Sequence, residues 1–177
     1  IVKPDFTFRD TLQAKIRLQL QWLEENRNLG DATRFLERIL DDVYQQTKDT
    51  TKESALVLEE LAKRFPLVLV SNFYGNIATV LREFGLDHLF GDIIESAVVG
   101  IRKPNARIFA LGVERLGLKA EEVAVVGDSY DKDILPSHSI GCHTIWFKGE
   151  GWTDEVVENP VADKVIGSLK EILSLAE

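Results

Sequence analysis

An α/β fold, with a parallel sheet behind a helical front, is predicted for this 177-residue chain on three observations. Apolar residues recur at helical spacing from about residue 10 to 65. After Pro66 they gather into short runs of strand length, separated by turns and amphipathic helical stretches, which is the alternation of a parallel sheet. Several of these runs end on polar groups, and sheets of this kind bind ligands beyond the carboxyl ends of their strands.

Leu12, Ile16, Leu20 and Leu23 mark a first helix, and Phe35, Leu36, Ile39, Leu40 and Val43 a second. Trp22, Phe35 and Tyr44 are expected in the core of this region. A third helix is predicted to start at Thr50, where Thr-Thr-Lys-Glu53 fits a capping box; it buries Leu58, Leu61, Ala62 and Phe65 and is closed by Pro66. Strands are expected at 67–70, 92–95, 123–126, 143–147 and 164–166. Between them, Ile77, Val80, Leu81 and Phe84 form one helical face that stops at Gly85. The next helix opens with Pro104 in its first turn, carries Ile108, Leu111 and Leu116, and ends at Gly117. Another runs from about 132 to 140, and Ser168-Leu-Lys-Glu171 caps the last. Trp146 and Trp152 are expected to pack against the sheet edge.

Composition narrows the function classes. Hydrophobic residues make up 45% of the chain, enough for a buried core. With 21 basic and 29 acidic residues the net charge is -8, so there is no basic stripe to follow a phosphate backbone, and nucleic acid is not an expected partner. Cys142 is the single cysteine, and no Cys/His spacing resembles a zinc site. No apolar stretch approaches the roughly 20 residues that span a bilayer, and no charged-then-apolar signal opens the chain. The expectation is a soluble, cytoplasmic protein with no membrane partner; the sequence fixes no oligomeric state. It also contains no methionine, so the gene is expected to begin upstream of Ile1.

Three strand ends carry candidate site residues. At Ser71-Asn72 a hydroxyl and the following amide can hold a phosphate oxygen, or Ser71 can simply cap the next helix. Lys103, before Pro104, is placed at the positive end of a helix, where it can neutralise an anion or lie exposed in a loop. In Gly127-Asp-Ser-Tyr-Asp-Lys-Asp133, Asp128 directly follows a strand and Asp133 lies in the first turn of the next helix. Two such carboxylates suit Mg²⁺, which takes one or two carboxylates along with water and phosphate oxygens; the alternative is an acidic, helix-capping turn. Asp131 reads as a partner of the helix dipole. Tyr74 and Asn76 could touch a ligand or serve the start of a helix, and His88, His138 and His143 are assigned no chemistry.

In this order, Ser71-Asn72, Gly-x-x-Lys103-Pro104-x-x-x-Ile-Phe109 and Gly127-Asp128-Ser129-x-x-x-Asp133, with Gly141 after the next helix, resemble motifs II, III and IV of the haloacid dehalogenase-like hydrolase superfamily. The resemblance is close over about residues 67–147. It implies a Rossmann-like core at 51–177 and a helical cap at 1–50. By the same resemblance, Ser71 and the amide of Asn72 bind the transferring phosphoryl group, Lys103 neutralises nucleophile and phosphate, and Asp128 and Asp133 anchor Mg²⁺. The implied activity is Mg²⁺-dependent hydrolysis of a small phosphorylated metabolite, a phosphate monoester, through an aspartyl-phosphate. The family carries its nucleophile on the first strand as Asp-x-Asp-x-Thr/Val, which occurs nowhere in this sequence. That strand, central to the family's sheet, is therefore expected upstream of Ile1. A phosphomutase or dehalogenase of the same superfamily, or a binding protein of this fold without its nucleophile, are the alternatives.

Overall fold

The computed structural model of the chain describes residues 2–27, 30–149 and 157–175, so Trp152 lies outside the described residues. The chain divides into two compact units, Ile1–Leu56 with Tyr74–His88, and Val57–Phe73 with Leu89–Glu177.

The first unit is helical. Helix α1 (Phe8–Arg27) is capped reciprocally: the Thr7 amide and hydroxyl donate to Asp10 Oδ2 at 3.0 and 2.6 Å, and the Asp10 amide donates back to Thr7 Oγ1 at 3.1 Å. Ile16 and Leu20 of α1 pack on Ala32, Leu36 and Leu40, with Leu12, Leu23 and Ile39 at the margin, as the helical spacing predicts. Helix α3 (Ile77–Glu83) is tied down at both ends. Buried Asn76 donates through Nδ2 to Phe6 O (2.9 Å) and Thr11 Oγ1 (2.8 Å), a structural role at the start of the helix. Glu83 accepts from the Tyr44 hydroxyl at 2.9 Å and from the Phe8 amide, beside clustered Phe8, Tyr44 and Phe84 rings. Burial, then the Glu83 carboxylate, pushes the Tyr44 hydroxyl pKa up.

Two expectations are corrected here. No helix starts at Thr50, because α2 runs unbroken over Leu36–Ala62. The hydroxyls of Thr47, Thr51 and Ser54 donate to carbonyls one turn back, at 2.9, 2.8 and 3.0 Å, so they are engaged within a continuing helix instead of capping a new one. The aromatics predicted for the core are also partly outside it. Trp22 is 52% and Phe35 43% exposed, with the guanidinium of Arg27 over the first ring and that of Arg34 over the second.

The second unit is built on parallel strands. β1 (Val68–Ser71) pairs with β2 (Asp92–Glu95), Val68 opposite Asp92 and Ser71 opposite Glu95. β3 (Ala124–Gly127), β4 (His143–Phe147) and β5 (Lys164–Ile166) form a second parallel sheet in that order. Between strands run the short α4 (Ser96–Val99), α5 (Arg107–Leu116) and α6 (Leu135–Ser139). α7 (Glu171–Leu175) ends the described chain, its Glu171 Oε1 accepting from the amides of Gly167 (3.0 Å) and Ser168 (2.8 Å). Every strand lies within one residue of its predicted position. Pro104 does not open α5, which begins three residues later: Pro104 follows a cis peptide bond, and the Asn105 amide turns back to Arg102 O at 3.0 Å.

Among the described residues, β1 pairs only with β2, and β3 only with β4. Residues 67–70 and 123–126 wall a cavity of about 360 Å³, which Leu61 and Ile172 help line and whose charged wall groups are Lys103 and Asp133. The cavity is apolar along most of its length and charged where those two side chains meet.

Candidate active site

Asn72 is the first residue beyond β1. Its carboxamide faces the main chain of Lys103, Oδ1 accepting from the Lys103 amide at 2.8 Å and Nδ2 donating to the Lys103 carbonyl at 3.1 Å. Lys103 Nζ donates to Asp133 Oδ1 at 2.6 Å and lies 5.8 Å from the centre of the Phe109 ring. Both charged side chains are largely out of solvent, 17% exposed for Lys103 and 5% for Asp133. An unpaired charge at that depth would be costly, so each requires the other.

Asp133 is fixed from several sides. Its Oδ2 accepts from the Ser129 amide at 3.0 Å, its carbonyl from Ser137 Oγ at 2.5 Å, and its amide donates to Ser129 O at 2.8 Å. Residues Tyr130–Ile134 form a wide helical turn, with the Ile134 amide reaching Ser129 O at 3.3 Å, and this turn aims Asp133 back toward the end of β3. Gly127 makes that possible, since a β-carbon there would sit 2.3 Å from Asp133 Cβ. Asp128 is exposed, and its carboxylate has no hydrogen-bond partner among the described residues. Its carbonyl accepts from the indole of Trp146 in β4 at 3.1 Å, and the Trp146 ring packs on Tyr130.

Of the predicted site residues, Asn72, Lys103 and Asp133 are joined by direct bonds. Ser71 and Asp128 sit at the tips of β1 and β3, each adjoining a member of that chain of contacts. Lys103 is held by Asn72 and Asp133 and not by a helix terminus. The sequence reading missed the side-chain role of Asn72, the Trp146 bond and the steric need for Gly127. Only the last had a local signal, a glycine between an apolar strand and an acidic turn.

For a divalent cation, the donor set is two carboxylates flanking one turn; among the described residues, no group of three or more His, Cys, Asp or Glu suits a metal. Mg²⁺ accepts one or two carboxylates with water and phosphate completing its shell, so Asp128 and Asp133 fit it chemically. Asp133 offers lone pairs beyond those used by Lys103 and Ser129.

A sequence model described as haloacid dehalogenase-like hydrolase matches residues 6–141. The chain belongs to that family. The glyceraldehyde 3-phosphate phosphatase of Methanocaldococcus jannaschii is 35% identical over 97 residues, covering 55% of this chain and 42% of that protein. The phosphoserine phosphatase of Thermus thermophilus is 29% identical over 158 residues, covering 87% and 58%. The chain thus spans about half the length of these curated relatives. In three dimensions it is similar to a HAD phosphatase from Thermococcus onnurineus, with a TM-score of 0.66 at 21% identity over 95% of this chain and 91% of that one. This likeness establishes the fold: a Rossmann-like α/β core with helical cap.

Proposed function

We propose that the full-length protein is a Mg²⁺-dependent phosphohydrolase that acts on a small phosphorylated metabolite, a phosphate monoester, through an aspartyl-phosphate. The observation that carries this reading is the buried Lys103–Asp133 pair, 2.6 Å apart in the wall of the cavity beside β1 and β3. A fixed ammonium with carboxylate neighbours suits a reaction whose main demand is neutralising phosphoryl oxygens. Phosphatase relatives from Methanocaldococcus jannaschii and Thermus thermophilus support the same reaction class.

In this reading Ser71 and the Asn72 amide bind the phosphoryl oxygens, Lys103 offsets their charge, and Asp128 with Asp133 holds the metal. Mg²⁺, when bound, supplies Lewis-acid stabilisation of the transferring group. The nucleophile comes from an aspartate on a strand preceding Ile1. Its oxygen bonds to phosphorus as the phosphorus bond to the ester oxygen breaks and that oxygen takes a proton from solvent; water then attacks phosphorus, breaking the acyl-phosphate bond to release inorganic phosphate and restore the carboxylate. The cavity between β1 and β3 supports such a strand, having apolar walls on two unpaired strand edges. No described helix is long and apolar enough to cross a membrane.

The test is a panel of phosphate esters incubated with the complete gene product, with Mg²⁺ and with chelator, repeated on Asp128→Asn. Turnover should require the metal and fall by at least about a hundredfold in the variant, in line with loss of one strong electrostatic contact. Turnover indifferent to both chelator and substitution overturns the metal assignment, and absence of turnover on every ester overturns the activity.

A further inference from the structure

We propose that Asn72 is the positioning residue for the Lys103 ammonium, holding it through the lysine main chain. The phosphoryl-transfer consequence rests on the function proposed above; the mechanical claim stands on geometry alone. Asn72 presents one acceptor and one donor in a plane, and the structure matches them to the two main-chain polar groups of a single residue 31 positions away. The amide orientation is fixed by those partners, since the reversed carboxamide would set donor against donor and acceptor against acceptor. Among the described residues, Asn72 is the only hydrogen-bond partner that the Lys103 main chain has.

A lysine side chain has four rotatable bonds, so pairing at its tip does not by itself fix where the ammonium lies. Here the base of the side chain is clamped by Asn72, and the tip is met by Asp133 at 2.6 Å with the Phe109 ring 5.8 Å away. The clamp also links β1 to the loop before α5, and the Lys103–Asp133 bond carries the link on to the turn after β3. That route, Asn72 to Lys103 to Asp133 to Ser129, ties together the tips of two strands that share no backbone ladder. Other residues cannot copy the clamp. Aspartate lacks the donor for the Lys103 carbonyl, serine offers a single atom, and glutamine is one methylene too long.

In this arrangement the two halves of Asn72 do separate jobs. The side chain is engaged by Lys103, and in the function proposed above the main-chain amide binds a phosphoryl oxygen. Losing the carboxamide frees the lysine main chain, loosens the ammonium from Asp133 and raises its reactivity toward acylating reagents.

The test uses the full-length protein and two readouts. Limited acetylation with acetic anhydride, mapped by mass spectrometry, should modify Lys103 slowly in the parent protein and several-fold faster in Asn72→Ala, with other lysines unchanged. Asn72→Asp, nearly isosteric and retaining the acceptor, provides the same comparison if the alanine variant folds poorly. The second readout is a double-mutant cycle on kcat/KM. Asn72→Ala should cost at least about tenfold when Lys103 is present and less than about threefold in a Lys103→Ala background, because groups in one chain of contacts are not additive. Unchanged acetylation of Lys103 in both Asn72 variants overturns the clamp, and so does an equal Asn72→Ala cost in both backgrounds. Failure of the parent protein to hydrolyse any phosphate ester removes the proposed function alone, with acetylation still deciding whether Asn72 positions the lysine.

Discussion

A β-carbon added at Gly127 would lie 2.3 Å from Cβ and 2.7 Å from Cγ of Asp133, and neither atom is the free end of a flexible chain. Asp133 is bonded through both carboxylate oxygens and its carbonyl, so it has little room to yield. Gly127→Ala is therefore expected to lower stability by about 1–3 kcal/mol, the usual cost of forcing extra volume into a packed site. Gly91→Ala is the control: its new β-carbon would meet only Leu67 O, at 3.8 Å, and urea unfolding should register a change within about 0.5 kcal/mol. Equal losses at the two positions would mean that the turn after β3 can rearrange freely. At this scale the charged members of the candidate site were conspicuous in the sequence, as a carboxylate or ammonium just beyond an apolar strand. The Asn72 side chain was not, since its partner lies 31 residues away and only the fold brings them together. Trp22 and Phe35 misled because a large ring counts as core by composition, whereas a neighbouring guanidinium can cover it at the surface.

Helix termini are the elements whose stability can be read against pH. The Asp10 carboxyl at the start of α1 is held below the usual carboxylate range, first by the Thr7 hydroxyl and then by the Thr7 amide. A depressed folded-state pKa means that the stabilisation is present above the unfolded value of about 3.9 and is lost as pH falls through the folded one. Asp10→Asn should therefore cost about 0.5–1 kcal/mol at neutral pH, a typical value for a charged group at a helix N-terminus. The difference between variant and parent should close as pH drops below about 4, as chemical denaturation at several pH values would reveal. A gap of the same size on both sides of that range would place the effect in side-chain shape and not in charge. Element by element, strands were the most legible because each contains a short apolar run of two or more residues bounded by turn or helix signals. The supposed start at Thr50 was not, because its hydroxyls have two uses: capping a new helix and bonding to the carbonyls of a continuing one. Local sequence did not distinguish them; in the structure the hydroxyls bond to carbonyls within the unbroken α2. The same limit applies at Pro104, where a proline consistent with a first helical turn instead belongs to the turn before α5.

At the scale of the whole molecule, the parallel sheet falls into two pieces, and the proposed upstream strand must account for both free edges at once. β1 and β3 each pair on one side, leaving main-chain donors and acceptors of the other side along an apolar cavity of about 360 Å³. Backbone groups left unpaired in such surroundings are unfavourable, and a parallel sheet is stable when both faces and both neighbours of its central strands are covered. A single extended segment entering parallel to β1 and β3 would satisfy both edges and deliver the residue after its carboxyl end toward Lys103 and Asp133. The family resemblance already made the missing strand central to the sheet; the two ladders that stop at β1 and β3 among the described residues mark those strands as its neighbours. The expected outcome is a difference in amide hydrogen exchange between the complete protein and residues 1–177 alone. In the complete protein, the amides of Val68–Ser71 and Ala124–Gly127 that face away from β2 and β4 should exchange slowly, near the rate set by global unfolding, whereas in the shorter chain they should exchange rapidly. The amides that bond to β2 and β4 should be protected in both, which separates strand insertion from a general gain in stability. If the outward amides exchange equally fast in the two proteins, no strand occupies the cavity, and the aspartate proposed to act there must reach Lys103 by another path.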